Sequence, residues 1–344
     1  MKKTTLALIA SLPLMATPLV QAVSVSTSPV GFINLKINGT DNGGMTAISV
    51  PMLPQVLYSG VISGAAGSTI TDDSATWSDN DYAVADPNGN ASYYAEITSH
   101  TDASKVGTIL EITASSGSSK TLTVGSDATG LDGASYSIRQ FRTISDVFGS
   151  DNLAGLTSGA GSSSSDIIYK VGAAGWERYY FQTAPVFAGG NGWRKAGDNQ
   201  TDMKDVAIFP DEGLIVRRRD ASDISITLPG SIKTNDSRTT LLQGFNLVSL
   251  SYPVDVTLEN TGLDSNLTSG SGASASDIIY MINASGQFER FYYQTAPVFA
   301  GGNGWRKAGD SSTEQKDTTV PAGNAVIILR RDTAGVDWST NVPF

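Results

Sequence analysis

The feature that most constrains this chain is an internal duplication. The run QTAPVFAGGNGWRKAGD occupies residues 182–198 and recurs without a change at 294–310. Around it, Ser165-Asp166-Ile167-Ile168-Tyr169 recurs as Ser276-Asp277-Ile278-Ile279-Tyr280. Glu177-Arg178-Tyr179-Tyr180 recurs as Glu289-Arg290-Phe291-Tyr292, and Arg218-Arg219-Asp220 as Arg330-Arg331-Asp332. The offset is 111 residues and becomes 112 after the insertion of Gln287. Two copies are too few for a solenoid, whose stacked core needs at least three. Two tandem domains of one fold are the simpler reading.

The local pattern points to strands. Helical periodicity is nearly absent, and short alternating or β-branched runs are bounded by Gly, Ser, Asn and Asp clusters. Strands are expected near 30–37, 55–62, 92–98, 108–113, 121–124 and 136–141, with a hairpin loop at 115–119. In each copy an opening strand (136–142; 245–252) precedes a short helical turn (145–149; 258–262) and a Ser/Gly loop (158–165; 269–276). A hairpin follows (166–171 with 175–182; 277–282 with 288–294), then the Trp-Arg-Lys strand and a last apolar strand (214–219; 326–331). A further hairpin, 224–232 with 238–243, leads into the second copy. The expected fold is all-β, built of tandem β-sandwich or small β-barrel modules, the last two being the duplication. The expected division is a signal peptide at 1–22, an N-terminal β-domain at 23–134, and repeat domains at 135–237 and 238–344.

The first residues read as an address. Lys2 and Lys3 precede an apolar stretch from Leu6 to Val20, and Val20-Gln21-Ala22 offers a signal-peptidase site, so cleavage is expected after Ala22. Pro13 and Pro18 interrupt the stretch, which falls short of the roughly 20 residues that span a bilayer. No helical membrane span is expected. Secretion or cell-surface exposure is the expected location, and the periplasm is also compatible. Cleavage removes two lysines and no acid, taking the net charge from -10 to -12. That balance argues against nucleic acid, which needs a basic footprint.

Composition removes several chemistries. With no cysteine, the chain has no disulfide, thiolate nucleophile or Cys-ligated metal. His100 is the single histidine and lies in a polar stretch, Ser99-His100-Thr101-Asp102, without a Gly-x-Ser-x-Gly elbow.

The motifs resemble an uncharacterised family of predicted secreted bacterial all-β proteins. The residues that carry the resemblance are Val25-Ser26-Thr27-Ser28-Pro29-Val30-Gly31-Phe32, Tyr93-Tyr94-Ala95-Glu96-Ile97-Thr98, Asp146-Val147-Phe148-Gly149, Gly192-Trp193-Arg194, Asp211-Glu212-Gly213-Leu214-Ile215-Val216-Arg217-Arg218 and Asn246-Leu247-Val248-Ser249. The resemblance implies export, an all-β fold and a bacterial source. It implies no catalytic residue.

Three groups of residues are candidates for chemistry. Trp193-Arg194 and Trp305-Arg306 each follow Gly-Gly-Asn-Gly, with Tyr180 and Tyr292 on the preceding strands. An aromatic face beside a guanidinium suits a sugar ring, so polysaccharide is a candidate partner; the competing role is packing, because aromatic side chains bury large areas. Glu177 with Asp198, and Glu289 with Asp310, are the repeated carboxylates that a glycosidase would need at a spacing of roughly 5 to 9 Å. Asp79, Asp81 and Asp86 lie in an oxygen-rich loop that calcium could occupy, although the spacing departs from an EF-hand. No other cofactor is expected.

The functional expectation is a non-enzymatic structural or adhesive protein of the cell surface or matrix. The alternative is carbohydrate binding at the Trp-Arg sites. Self-assembly, and contact with other surface components, also fit tandem modules. The alternating end at 336–344 leaves an outer-membrane barrel as a less favoured reading, opposed by Pro343 within the strand.

Overall fold

We describe a computed structural model of the chain over residues 29–172, 175–184, 189–296 and 301–343. The segment expected to be a signal peptide, residues 23–28 and the terminal Phe344 lie outside the described residues. The fold is all-β, with several antiparallel sheets and, among the described residues, one short α-helix.

The chain begins with β1 (Val30–Ile37) and β2 (Met45–Ile48). In β1 the alternation of Asn34 and Lys36 with Leu35 and Ile37 sends the apolar pair inward. Neither strand finds its partner nearby. The chain next forms β3 (Val56–Val61), β4 (Gly64–Ala66), β5 (Thr69–Thr71), β6 (Tyr93–Ser99), β7 (Ile109–Ser116), β8 (Thr121–Val124) and β9 (Ser135–Gln140). These seven make one sheet in the order β3-β9-β6-β7-β8-β5-β4. Because β3 and β4 are consecutive, one bent segment pairs with β9 at one end and β5 at the other, and the sheet closes into a small barrel. Its interior holds Ile70, Trp77, Ile97, Leu110, Leu122 and Ile138.

Beyond the barrel come β10 (Arg142–Thr143), α1 (Ile144–Phe148), β11 (Ile167–Gly172), β12 (Gly175–Gln182), β13 (Gly192–Lys195), β14 (Ala207–Ile208), β15 (Leu214–Arg217) and β16 (Ile224–Ser231). Thr143 and Asp146 close a capping box that starts α1. A five-stranded sheet runs β13-β12-β11-β15-β2, and β1 returns to pair with β16 from Val30 opposite Ser231 to Ile37 opposite Ile224. Leu35, Ile226 and Leu228 of that ribbon pack on Ile48, Ile168 and Val216 of the sheet, making a two-layer sandwich.

The sheets therefore do not divide at 134/135. The barrel, at 56–140, is inserted within the first sandwich, whose own first strands are β1 and β2. The 136–142 strand expected to open the first repeat falls mostly on β9 of the barrel, with Arg142 in β10. The second sandwich shows the undivided unit: β17 (Ser237–Leu241), β18 (Gly244–Ser249), β19 (Val256–Thr257), β20 (Ile278–Ile282), β21 (Phe288–Gln294), β22 (Gly304–Lys307), β23 (Thr319–Val320), β24 (Ala325–Arg330) and β25 (Val336–Thr340). Here β17 pairs with β25, and β18 edges the sheet β18-β24-β20-β21-β22. Thus β17 and β18 correspond to β1 and β2. The expected hairpin of 224–232 with 238–243 does not form, since β16 pairs with β1 and β17 with β25.

The two sandwiches pack through the outer faces of their five-stranded sheets. Ala47, Ile215, Leu247, Ala325 and Ile327 form that layer. The contact is reciprocal. Ser49 N–H donates to the Gly323 carbonyl (2.8 Å), and the corresponding Ser249 N–H donates to the Asp211 carbonyl (2.9 Å). Ile48 bridges Asn324 as Val248 bridges Glu212. Each first sheet strand thus runs past its own sheet onto the other copy, as in a two-fold dimer drawn within one chain.

Charged groups are buried at the junctions. Lys170 meets Glu212 at 2.9 Å, and Lys233, between the sandwiches, meets Glu96 of the barrel. Burial pushes the Glu212 carboxyl up to about 7, with Lys170 opposing the shift. A carboxyl whose folded pKa is raised favours folding while protonated. Its contribution is lost as pH rises from about 4.5, the ordinary value, to about 7. Urea titrations across that window should show stability falling with pH, and Glu212→Gln should flatten the slope. Gly43, at φ +84°, lies against the turn of the second sandwich, where a Cβ would overlap the Ser285 carbonyl. Gly43→Ala should cost about 1–3 kcal/mol in denaturant unfolding.

Candidate functional site

The duplicated motifs hold loops in place. Trp193 of β13 is fully buried; its ring meets Phe181 edge-on (5.4 Å between centroids) and its Nε1 donates to the Gly149 carbonyl at 2.9 Å. Trp305 is 2% exposed and meets Tyr293 edge-on at 5.5 Å. No sugar can stack on either indole, which corrects the expected binding role. Each is core because an inward position on a strand of the sheet faces the apolar layer beneath.

Arg194 and Arg306 are buried as well. Arg194 donates from Nη2 to the Gly189 carbonyl (2.6 Å), from Nε to Asn199 (3.2 Å) and from Nη1 to Trp193 (2.8 Å). Arg306 donates to the Gly301 carbonyl (2.6 Å), the Trp305 carbonyl (2.9 Å) and the Glu314 carboxylate (2.9 Å). Gln182 and Gln294 add bonds to the Gly190 and Gly302 carbonyls at 3.0 and 3.1 Å. Tyr180 and Tyr292 hydroxyls donate to those glutamines and are themselves buried. Gly189 (φ +81°) and Gly190 (φ +68°) turn the carbonyls inward, a geometry that favours glycine. Of the six candidates for sugar binding, Arg194, Arg306, Tyr180 and Tyr292 therefore belong to loop clamps, and Trp193 and Trp305 to the core.

The other duplicated motif is a second clamp. Asp166 accepts from the N–H groups of Thr157 (2.7 Å) and Arg219 (2.6 Å) and pairs with Arg218 at 2.7 Å. Asp277 does the same with Thr268 and Arg331. These bonds pin each Ser/Gly loop to the end of the last sheet strand.

The carboxylates that a glycosidase would use are engaged elsewhere. Burial opposes ionisation of Glu177, yet hydrogen bonds from Lys195 and Tyr179 hold its carboxyl below the ordinary value. Hydrogen bonds from Thr201 and Gln200 bring Asp198 down to about 2, and those from Thr313 and Ser312 lower Asp310. Glu289 is lowered by its bond to Lys307. A general acid needs the opposite shift.

The calcium candidates are not brought together. Asp79 accepts from the Gly117 N–H (2.8 Å) and Asp81 from the Ser78 N–H (2.7 Å). Asp86 accepts from the Asn88, Asn90 and Ala207 N–H groups at 2.9, 2.8 and 3.0 Å. Among the described residues, no three or more acidic or histidine side chains converge as a metal site. His100 is bonded to the Asp102 N–H on an exposed turn.

Two features were not expected from the sequence. One is a closed polar ring where the barrel meets the first sandwich. Lys195 Nζ donates to Glu177 Oε1 (2.5 Å) and to Asn88 Oδ1 (3.2 Å). Asn88 Nδ2 donates to the Tyr179 hydroxyl (2.7 Å), which donates to Glu177 Oε2 (2.6 Å). The available signal was the change of Tyr179 to Phe291, one of several differences between otherwise similar strands. The other is an outward aromatic strip. Trp176, 47% exposed, meets Tyr169 edge-on at 6.5 Å, and exposed Arg178 lies opposite Tyr169 in the sheet. In the second copy Phe288, Tyr280 and Phe245 form the strip, with Arg290 opposite Tyr280. Period-two alternation placed these side chains together on the outer face.

Trp193→Ala and Trp305→Ala should each cost about 3–5 kcal/mol of unfolding free energy, measured by denaturant titration, because each empties a core position. Comparison with protein-family models, with curated proteins and with solved structures finds no match to this chain.

Proposed function

We propose that this chain is an exported, non-enzymatic structural or adhesive protein of the cell surface or extracellular matrix. The observation that carries the reading is the reciprocal interlock of the sandwiches with a barrel built into one of them. Such a body presents a fixed outer surface, and the duplicated polar residues are invested in holding its loops. The basic, apolar and small-residue segments before residue 23 supply the export address. Fractionation of the source cells with N-terminal sequencing tests this. The protein should be found outside the cytoplasm and begin at Val23; a cytoplasmic chain that retains Met1 overturns the reading.

A second reading, carbohydrate binding, is favoured by the outward strips. Trp176 and Phe288 occupy corresponding positions, each with a tyrosine of the adjacent strand beside it and an arginine two residues further along its own strand. Stacking on the ring and donation from the guanidinium would hold a sugar. In a polysaccharide pull-down, retention should fall at least tenfold in Trp176→Ala plus Phe288→Ala with the far-UV spectrum unchanged. Equal retention by the double variant ends this reading.

A further inference from the structure

We propose that Lys195 and Asn88 become joined by an isopeptide bond that ties the inserted barrel covalently to the first sandwich. Their side chains are already in contact, with Lys195 Nζ 3.2 Å from the Asn88 carboxamide oxygen. A small swing of the lysine places the amine on the carbon one bond away, within the range that favours reaction between held groups. The rest of the ring supplies the proton path. Glu177 receives a hydrogen bond from the amine at Oε1 and from the Tyr179 hydroxyl at Oε2, while that hydroxyl accepts from Asn88 Nδ2. Tyr179 is fully buried, and the Lys195 and Glu177 side chains are 30% and 18% exposed.

The step balances within the ring. The Lys195 ammonium gives one proton to the Glu177 carboxylate, and the neutral amine attacks the Asn88 carbonyl carbon. The new C–N bond forms as the C–Nδ2 bond breaks. The attacking nitrogen loses a second proton, and both protons reach the departing nitrogen, one through Glu177 and the Tyr179 hydroxyl. Nitrogen leaves as ammonium, Glu177 returns to a carboxylate, and one amide replaces another. No oxidant, metal or cofactor takes part.

The second sandwich is an internal control. Lys307 keeps its ion pair with Glu289 at 3.0 Å, but Phe291 replaces the tyrosine, and the asparagine that reaches Glu289 is Asn283 of the same hairpin, donating from Nδ2 to Oε1 at 3.3 Å, rather than one brought by a barrel. The two residues that complete the ring thus occur together, on the copy that carries the barrel. In a chain without cysteine, this chemistry provides a covalent staple that no reductant opens. It would close a loop running from residue 88 to 195, which restricts the unfolded chain.

Intact-mass spectrometry of the purified exported chain tests the proposal. The expected mass is lower than that of the sequence by one ammonia, and trypsin should release the Asn88 and Lys195 peptides as one branched species. Lys195→Arg, Asn88→Ala and Glu177→Gln should each restore the full mass, and Tyr179→Phe should slow the loss of ammonia. The cross-linked chain should also migrate faster than these variants on a denaturing gel. A wild-type chain of full mass, with Asn88 in a linear peptide either intact or deamidated, overturns the proposal. Because that readout uses the unaltered protein, it stands even if a variant fails to fold. A branched peptide at Lys307 would also overturn the assignment to this ring.

Discussion

The structure depends on an exchange of strand ends between the two copies. β2 and β18 each begin in their own sheet and end against the segment before the last sheet strand of the other copy. Backbone N–H and C=O groups buried without partners cost on the order of 1–3 kcal/mol each. The paired ends are thus satisfied only when both copies are present and in register. The apolar layer of Ala47, Ile215, Leu247, Ala325 and Ile327 adds area, but the reciprocal bonds fix the geometry. A barrel could be accommodated in one copy because its site of insertion, after β2, lies beyond this exchange.

The polar interior follows from the loops. Glycine-rich connections expose carbonyls that a purely apolar core would leave without donors. Arg194 and Arg306 answer this with planar guanidiniums that reach several carbonyls at once, and Gln182 and Gln294 complete the set. Within the run shared by 182–198 and 294–310, Gln182, Arg194, Gln294 and Arg306 each bond to carbonyls of the glycine loop between them. A lysine could not replace either arginine, since a single ammonium lacks the fork that spans separated acceptors.

Strand positions were legible because a period of two survives in short runs: β1, β7, β8, β11 and β12 fall where alternation placed them. The duplication was legible from residue 165 onward. Its beginning was not, because Met45-Thr46-Ala47-Ile48 and Phe245-Asn246-Leu247-Val248 share character but no identity. Nothing local distinguishes a barrel strand such as β9 from a sandwich strand, so the insertion was read as a separate N-terminal domain. The direction of the tryptophans was equally hidden. Trp176 and Trp193 sit in similar settings of glycine and charge, and only the sheet's two faces separate the half-exposed indole from the buried one.

The placement of the barrel also orders events in time. β1 waits for β16 and β2 for β15, so the first two strands made find their partners only after 187 and 166 further residues, counted from Ile37 to Ile224 and from Ile48 to Leu214. The barrel's strand pairings all lie within 56–140, so its sheet can close early. A chain threading through a membrane pore from its N-terminus would thus present a folded barrel flanked by two idle strands. In such a passage the first sandwich could zip up only once β16 had emerged, so that its folding free energy would be released on the far side.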